Sequence, residues 1–503
     1  MTLRRNLPDL LPLTAAVALT RFLFRSRILY DLDSVNFALA MKRFDPSVFQ
    51  AHPPGYYLYS RIGWLIDLVF HNPNLSLVIL SILASCGLVI LIYQFALDWF
   101  GRSPARFAAL LFLFSPLCWF HGAVALTYIV GAFCSGLVGY LCWRLNNGHS
   151  GYLVPAALAL GFAAGIRPSE LLFLAPLYLY SLRRLDLKQI LLGLLAVLLA
   201  VLAWFVPMIL ASGGLNAYFG ALFALWHMVP GKKTAFNSSP AYTIARAFTI
   251  LFIYTLTFGA ASFAPLAEKL RTTPIDREKV RFTLVWITPA LCFFTFIFLV
   301  FINSGYLLLL AVPACLWLGL WASGWYTNAR LGKSLKLAVI VACAAANTAI
   351  FLFAPLYCSY RSVRQLQSEL KNIQTTLPSF GAPSNTLIVS FDSHFLGFRH
   401  AGYYLPQYHV LEYPEVNMGH GMVAFTMYDR DTHLVTRIPG PYTRFVLYPL
   451  PAQGKQFKQY LAKILAKIPP GDLKITGRNG HTYVTGPIKD LRSLFPVLAA
   501  ASK

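Results

Sequence analysis

Three carboxylates, Asp31, Asp33 and Asp45, fall within fifteen positions of one another in the stretch 31–59, DLDSVNFALAMKRFDPSVFQAHPPGYYLY. A carboxylate held beside a membrane can take a proton from a hydroxyl as a general base. Asp33-Ser34 also stands directly before VNFALAMKRF, whose apolar spacing is helical, so either residue reads equally well as a helix cap. Asp45-Pro46 reads as a turn. A second group with chemical potential is Arg167 in AAGIRPSELL, between apolar runs 152–166 and 171–182. Its guanidinium could hold a phosphate through paired hydrogen bonds, or it could anchor at the interface where Pro168 breaks a helix. Arg21, Arg25 and Arg27 could bind lipid phosphate, neutralise Asp31 or Asp33, or snorkel. In LWHMVPGKKTAFNSSP, His227, Lys232 and Lys233 read as a solvated basic turn. His52 has no His or Cys at metal-ligand spacing, and the sequence contains no nucleophile elbow, phosphate-binding loop or dinucleotide glycine pattern.

These residues sit in a chain built for a membrane. Charged residues are 12% and apolar residues 57% of the 503 positions, and runs near spanning length include Leu75–Leu97, Ile190–Ala211, Phe282–Phe301 and Leu335–Ala354. Arg4 and Arg5 precede a first apolar run with no small-residue cleavage site, which reads as an anchor. Many of the basic residues behind the net charge of +23 sit in short loops between spans, where anionic lipid and the positive-inside rule place them, which argues against nucleic acid as a partner and implies membrane lipids. The cysteines lie mostly within apolar segments, which gives a disulfide framework no support.

The basic clusters Arg183/Arg184/Lys188, Lys269–Arg281 and Arg330/Lys333/Lys336 set the cytoplasmic side. Parity then makes Tyr56–Phe70 an interfacial helix and predicts about 11 crossings, or 13 if two further spans are concealed, with the N-terminus inside and the C-terminus outside. The expected fold is a polytopic α-helical membrane module, 1–356, with outer loops 30–74 and 212–243, followed by a small extracytoplasmic α/β domain, 357–503. In that domain NTLIVSF and TRFVLYPL read as strands, FKQYLAKILAKI as a helix, and LKITGRNGHTYVTG as a hairpin turning at Asn479-Gly480. Its sixteen Lys and Arg against eight Asp and Glu favour docking on anionic lipid.

The order of motifs resembles the GT-C glycosyltransferase superfamily, which includes protein O-mannosyltransferases and lipid A aminoarabinose transferases. It is most similar to a bacterial branch of lipopolysaccharide-core galacturonosyltransferases. The residues that carry the resemblance are Asp33-Ser34-Val35-Asn36-Phe37-Ala38-Leu39-Ala40, His52-Pro53-Pro54-Gly55-Tyr56-Tyr57, Gly165–Ser169, GYLL at 305–308 and FRHAGYYLPQYHV at 398–410. The resemblance implies inverting transfer of a sugar from a polyprenyl-phosphate donor to a glycan, lipid or protein acceptor on the periplasmic face of a bacterial inner membrane. It implies Asp33 as base, with Asp31 and Asn36 in support, and Arg167 on the donor phosphate, joined by Arg25 or Lys233. His52, Pro53, Pro54, Tyr56, His121 and Tyr128 would line the acceptor pocket. Where many relatives carry a second outer acid, this chain reads WFHGAVALTYIV, so no metal or other cofactor is expected, with a divalent cation left as the alternative. A transporter or flippase of polyprenyl-linked intermediates is the competing reading; it needs no fixed outer carboxylate but more often shows inverted halves and mid-membrane charges.

Overall fold

The structure, a computed structural model, describes residues 2–228, 234–258, 276–299, 304–328, 330–391, 395–413, 427–428, 434–435, 442–448, 473–478 and 481–489. By its internal contacts the chain forms two compact units: Met1–Arg27 with Phe37–Ser362, and Ile28–Asn36 with Val363–Lys503.

The first unit is helical. Six helices among the described residues are long and apolar enough to cross a membrane: Pro73–Phe100, Tyr128–Asn146, Leu187–Ala211, Arg277–Ile297, Ser304–Thr327 and Lys333–Phe353. Shorter apolar helices cover Ser150–Ile166, Ser169–Leu182, Leu215–Trp226 and Pro240–Ile253. Close helix approach depends on small residues. Gly139 leaves the space occupied by the Trp286 indole, and Trp204 Nε1 donates to Gly161 O at 2.9 Å across a second glycine contact. The run expected as one span, Phe282–Phe301, is covered as far as Ile297 by the spanning helix Arg277–Ile297, which changes winding near its end. Pro289 lacks a donor inside the Arg277–Cys292 helix, a π-helical turn follows at Phe293–Ile297, and Phe298 is extended.

Tyr57–Phe70 is a helix that buries Tyr59, Ser60 and Gly63 and exposes Trp64, Leu65, Leu68, Val69 and Phe70. An apolar face turned away from the protein is what a helix at a lipid interface carries. One end of this unit gathers ion pairs. Asp9 is bonded by Arg102 and Arg106, each at 2.8 Å, and by Tyr93 at 2.6 Å. Glu278 accepts from Arg183 and Asn146, and Asp98 pairs with Arg144. Arg167 and the turn 122–127 close the other ends of the same helices.

Among the described residues the second unit carries a seven-stranded mixed sheet, with Thr386–Phe391 as β1, His409–Tyr413 as β2, Met427–Tyr428 as β3, Leu434–Val435 as β4, Arg444–Leu447 as β5, Lys474–Arg478 as β6 and His481–Pro487 as β7. The spatial order is β4-β3-β2-β1-β5-β7-β6, with β1 parallel to both β2 and β5. Leu387, Ile388 and Val389 are wholly buried, as a central strand covered on both faces requires. The Phe398–Tyr404 helix crosses between β1 and β2. Arg478 pairs with His481 across the two strands of the expected hairpin, while the Asn479-Gly480 step and the FKQYLAKILAKI segment lie outside the described residues. Residues 28–36, kept with the membrane module in the sequence reading, group with this unit, and the unit boundary falls inside the Leu32–Lys42 helix.

Candidate functional site

In the membrane unit the site begins with Arg167, the C-cap of the Leu153–Ile166 helix. It is extended, φ −150 and ψ 104, because the following Pro168 disfavours the helical region for the residue before it. The chain re-enters a helix at Ser169, so the break throws the side chain inward, where it is 6% exposed. Its guanidinium carbon lies 4.8 Å from the ring centre of Tyr128 and 4.8 Å from that of Tyr306. Two aromatic rings beside a planar cation hold it in place while leaving N–H edges to bind an oxyanion. The phenol of Tyr56 is also within electrostatic reach.

Around this centre stand His121, 2% exposed with its ring 5.1 Å from Tyr128, and Glu170, 2% exposed in the first turn after the break. Gly131 and Gly305 make the crowding possible: a Cβ on Gly131 would lie 2.8 Å from Glu170 Oε1, and one on Gly305 would strike the Tyr128 ring. Arg167 Nε, both ring nitrogens of His121 and Glu170 Oε2 are buried and make no hydrogen bond among the described residues. Orphaned polar atoms are costly inside a protein and rare in native folds, so four at one place mark a site that a polar ligand would satisfy.

The His-Pro-Pro-Gly turn belongs to this unit and is pinned from outside itself. Tyr218 Oη donates to Pro54 O at 2.9 Å, and Gly55, at φ +122, leaves room for Met208 Sδ. His52 packs 4.8 Å from Tyr56 and 5.7 Å from Phe37 by ring centres. His52, Tyr56, His121, Tyr128 and Arg167 are thus linked through Tyr56 and Tyr128.

Other predicted residues fall elsewhere. Arg25 folds back on its own helix, 4.0 Å from the Phe22 ring and bonded to Phe22 O. Arg21 neither snorkels nor faces lipid. It is wholly buried, donates to Thr20 Oγ1 and Phe112 O, and lies 5.2 Å from the Trp119 ring, meeting a carbonyl left open near the end of the Arg102–Leu113 helix. Lys232 and Lys233 lie outside the described residues. Asp45 caps the Pro46–Val48 turn and pairs with Arg43 at 2.8 Å.

In the second unit the acids have distinct places. Asp31 O accepts the first helical bond, from Val35 N, and Asp31 Oδ1 accepts from Asp33 N at 2.9 Å, so Asp31 rather than Asp33 or Ser34 is the N-cap of Leu32–Lys42. Asp33 is half-exposed in the first turn, where the helix dipole favours a carboxylate. Asn36, one turn on, is 2% exposed, and its Oδ1 makes no hydrogen bond among the described residues.

Sequence reasoning missed Tyr306, the second face on Arg167, and Arg246, buried in Pro240–Phe258. Arg246 Nη1 donates to Thr295 O at 3.3 Å in the π-helical turn, and the neighbouring Phe294 packs on Tyr306 at 5.6 Å. A charged residue inside an apolar helix was the available signal. No group of three His, Cys, Asp or Glu among the described residues could hold a metal.

Neither a protein-family model nor a curated protein sequence matches the chain. Among solved structures, the chain is similar to ArnT from Cupriavidus metallidurans. The apo form aligns with a TM-score of 0.61 at 13% identity, covering 94% of this chain and 97% of that one. The form bound to undecaprenyl phosphate aligns with a TM-score of 0.57 at 14% identity over the same shares. The apo oligosaccharyltransferase of Archaeoglobus fulgidus gives 0.47 at 12% identity, over 81% of this chain and 64% of that one. The likeness to ArnT extends over nearly the whole chain, and the fold is the one seen in ArnT.

Proposed function

We propose that this protein is an inverting glycosyltransferase that moves a sugar from a polyprenyl-phosphate donor to an envelope acceptor hydroxyl at the outer face of a bacterial inner membrane. The observation that carries this reading is the buried Arg167, held against two tyrosine rings with orphaned polar atoms around it, in a fold whose ArnT example was solved with undecaprenyl phosphate. Arg167 binds the donor phosphate and stabilises the dianion that forms as the sugar leaves, with Lys233 as a further cation. Asp33 takes the proton of the acceptor hydroxyl. The acceptor oxygen attacks the anomeric carbon from the face opposite the phosphate, the carbon–oxygen bond to phosphate breaks, and polyprenyl phosphate departs with the electron pair. Asp31 supports Asp33 by capping its helix, and Asn36 stands one turn beyond. His52, Pro53, Pro54, Tyr56, His121 and Tyr128 shape the acceptor pocket. Turnover needs no metal, because the outer turn at 121–128 offers a histidine and a tyrosine where a second carboxylate would stand.

The test is transfer of labelled sugar from a panel of polyprenyl-phosphate donors to envelope extract by lipid-reconstituted protein. Asp33→Asn should lower turnover by roughly 10²- to 10⁴-fold, the range of a general base, with expression unchanged. Wild-type turnover should persist in EDTA. Equal transfer by wild type and Asp33→Asn would remove Asp33 from the base role. A wild type that transfers from no donor yet flips polyprenyl-linked sugars would establish the transporter instead.

A further inference from the structure

The last motif of the sequence, FRHAGYYLPQYHV, has no part in the chemistry above, and the structure shows what it touches. His400 and Tyr404 are four residues apart on the Phe398–Tyr404 helix and so share one face. Both reach the same residue of the segment Ile28–Asn36, which packs in the same unit. Tyr404 Oη accepts from Leu29 N at 2.7 Å, and His400 Nε2 lies 3.0 Å from Leu29 O. A carbonyl only accepts, so Nε2 carries the proton and the ring is the Nε2–H tautomer. The two side chains thereby satisfy both backbone groups of Leu29, as a neighbouring strand would. Leu29 and His400 are wholly buried, and Tyr30 packs on Phe395 at 5.3 Å between ring centres. Two residues after this grip comes Asp31, the cap of the helix whose first turn bears Asp33.

We infer that His400 and Tyr404 are positioning residues for the Asp31–Asp33 turn, so that the α/β unit orients the acidic segment of the transferase. The inference rests on the reading of Asp33 as base. A strand-like grip on Leu29 fixes position and direction of the chain two residues before the cap. Without it the cap and Asp33 would still form their local turn, but its orientation would wander, and a base that must meet a hydroxyl loses rate steeply with small misplacement.

The experiment uses the full-length protein in lipid. His400→Leu removes the donor to Leu29 O, Tyr404→Phe removes the acceptor for Leu29 N–H, and His400→Gln restores an N–H donor. Steady-state transfer and amide hydrogen exchange of peptides spanning 28–36 are measured for each, with Asp33→Asn alongside. The inference expects His400→Leu and Tyr404→Phe to lose kcat at least tenfold with little change in acceptor KM and to exchange faster through 28–34, while His400→Gln recovers most of both. Unchanged kcat in His400→Leu and Tyr404→Phe despite faster exchange would overturn it and leave Asp33 as base. Unchanged exchange in both would overturn the grip itself. An active Asp33→Asn would instead overturn the base reading, and with it the catalytic purpose of the grip.

Discussion

At the scale of single residues, the site turns on how one arginine is held. Arg167 gains from two tyrosine rings and from a helix break that points it inward, and the ring contacts depend on a planar guanidinium. Lysine keeps the charge but not the stacking or the fork of donors. Arg167→Lys is therefore expected to behave closer to Arg167→Ala than to wild type. Loss of a charge-assisted hydrogen bond of about 1.5–3 kcal/mol corresponds to roughly 10- to 150-fold. Donor titration of initial rates checks this: if Arg167 holds the donor phosphate, donor affinity falls while acceptor KM is kept, and a lysine variant with wild-type kinetics would sink the assignment. At this scale the types of the key residues were legible: a pre-proline arginine in an apolar setting and an aspartate at a helix start are visible in the string. Which acid caps was not legible, since Asp31, Asp33 and Ser34 all have cap chemistry and only the register of Leu32–Lys42 chooses.

At the scale of elements, short helices and turns act as clamps. His400 on the Phe398–Tyr404 helix is the titratable clamp. Burial lowers its pKa to about 4, against the opposing pull of the backbone of Leu29 and Tyr30. An unfolded histidine binds its proton near pH 6.5, so between about 6.5 and about 4 the unfolded chain holds more protons than the folded one. The stability His400 contributes is complete above that window and is lost as pH falls through it, by up to about 1.4 kcal/mol per pH unit. Amide exchange across 28–34 should consequently accelerate between about pH 6.5 and about pH 5 beyond the intrinsic chemical trend. The same scan on His400→Gln should be flatter; an identical slope would show that another group titrates. Apolar run length made the Lys333–Phe353 helix predictable, and the Asn-Gly step between two strand-like runs made the β6–β7 pairing predictable. Run length did not reveal the change to π-helical winding after Cys292, because the run stays apolar through it.

At the scale of the whole molecule, the membrane unit has two chemically unlike ends. One carries the ion pairs of Asp9, Asp98 and Glu278 with five arginines, and the other carries Arg167. That polarity supports an orientation with the ion-paired loops in the cytoplasm. In a cysteine-free background, Arg277→Cys should react with an impermeant maleimide only after cells are permeabilised, and Phe236→Cys, 85% exposed, should react in intact cells. The reverse pattern would invert the assignment and place the site on the wrong face for an envelope acceptor.

What the sequence determined by itself was the class of molecule and the identity of its chemically capable groups. Apolar runs, basic loops and a scarcity of acids are local properties, written residue by residue, and hydropathy alone imposes them. Tertiary structure decided what those groups lean on. Tyr306 lies under Arg167 from 139 residues away, and His400 and Tyr404 grip Leu29 across gaps of 371 and 375 residues. No periodicity or spacing rule couples positions so far apart. Their meeting follows from the packing of helices through small residues and from the parallel β1–β2 pair, whose crossover brings one helix face to one buried carbonyl.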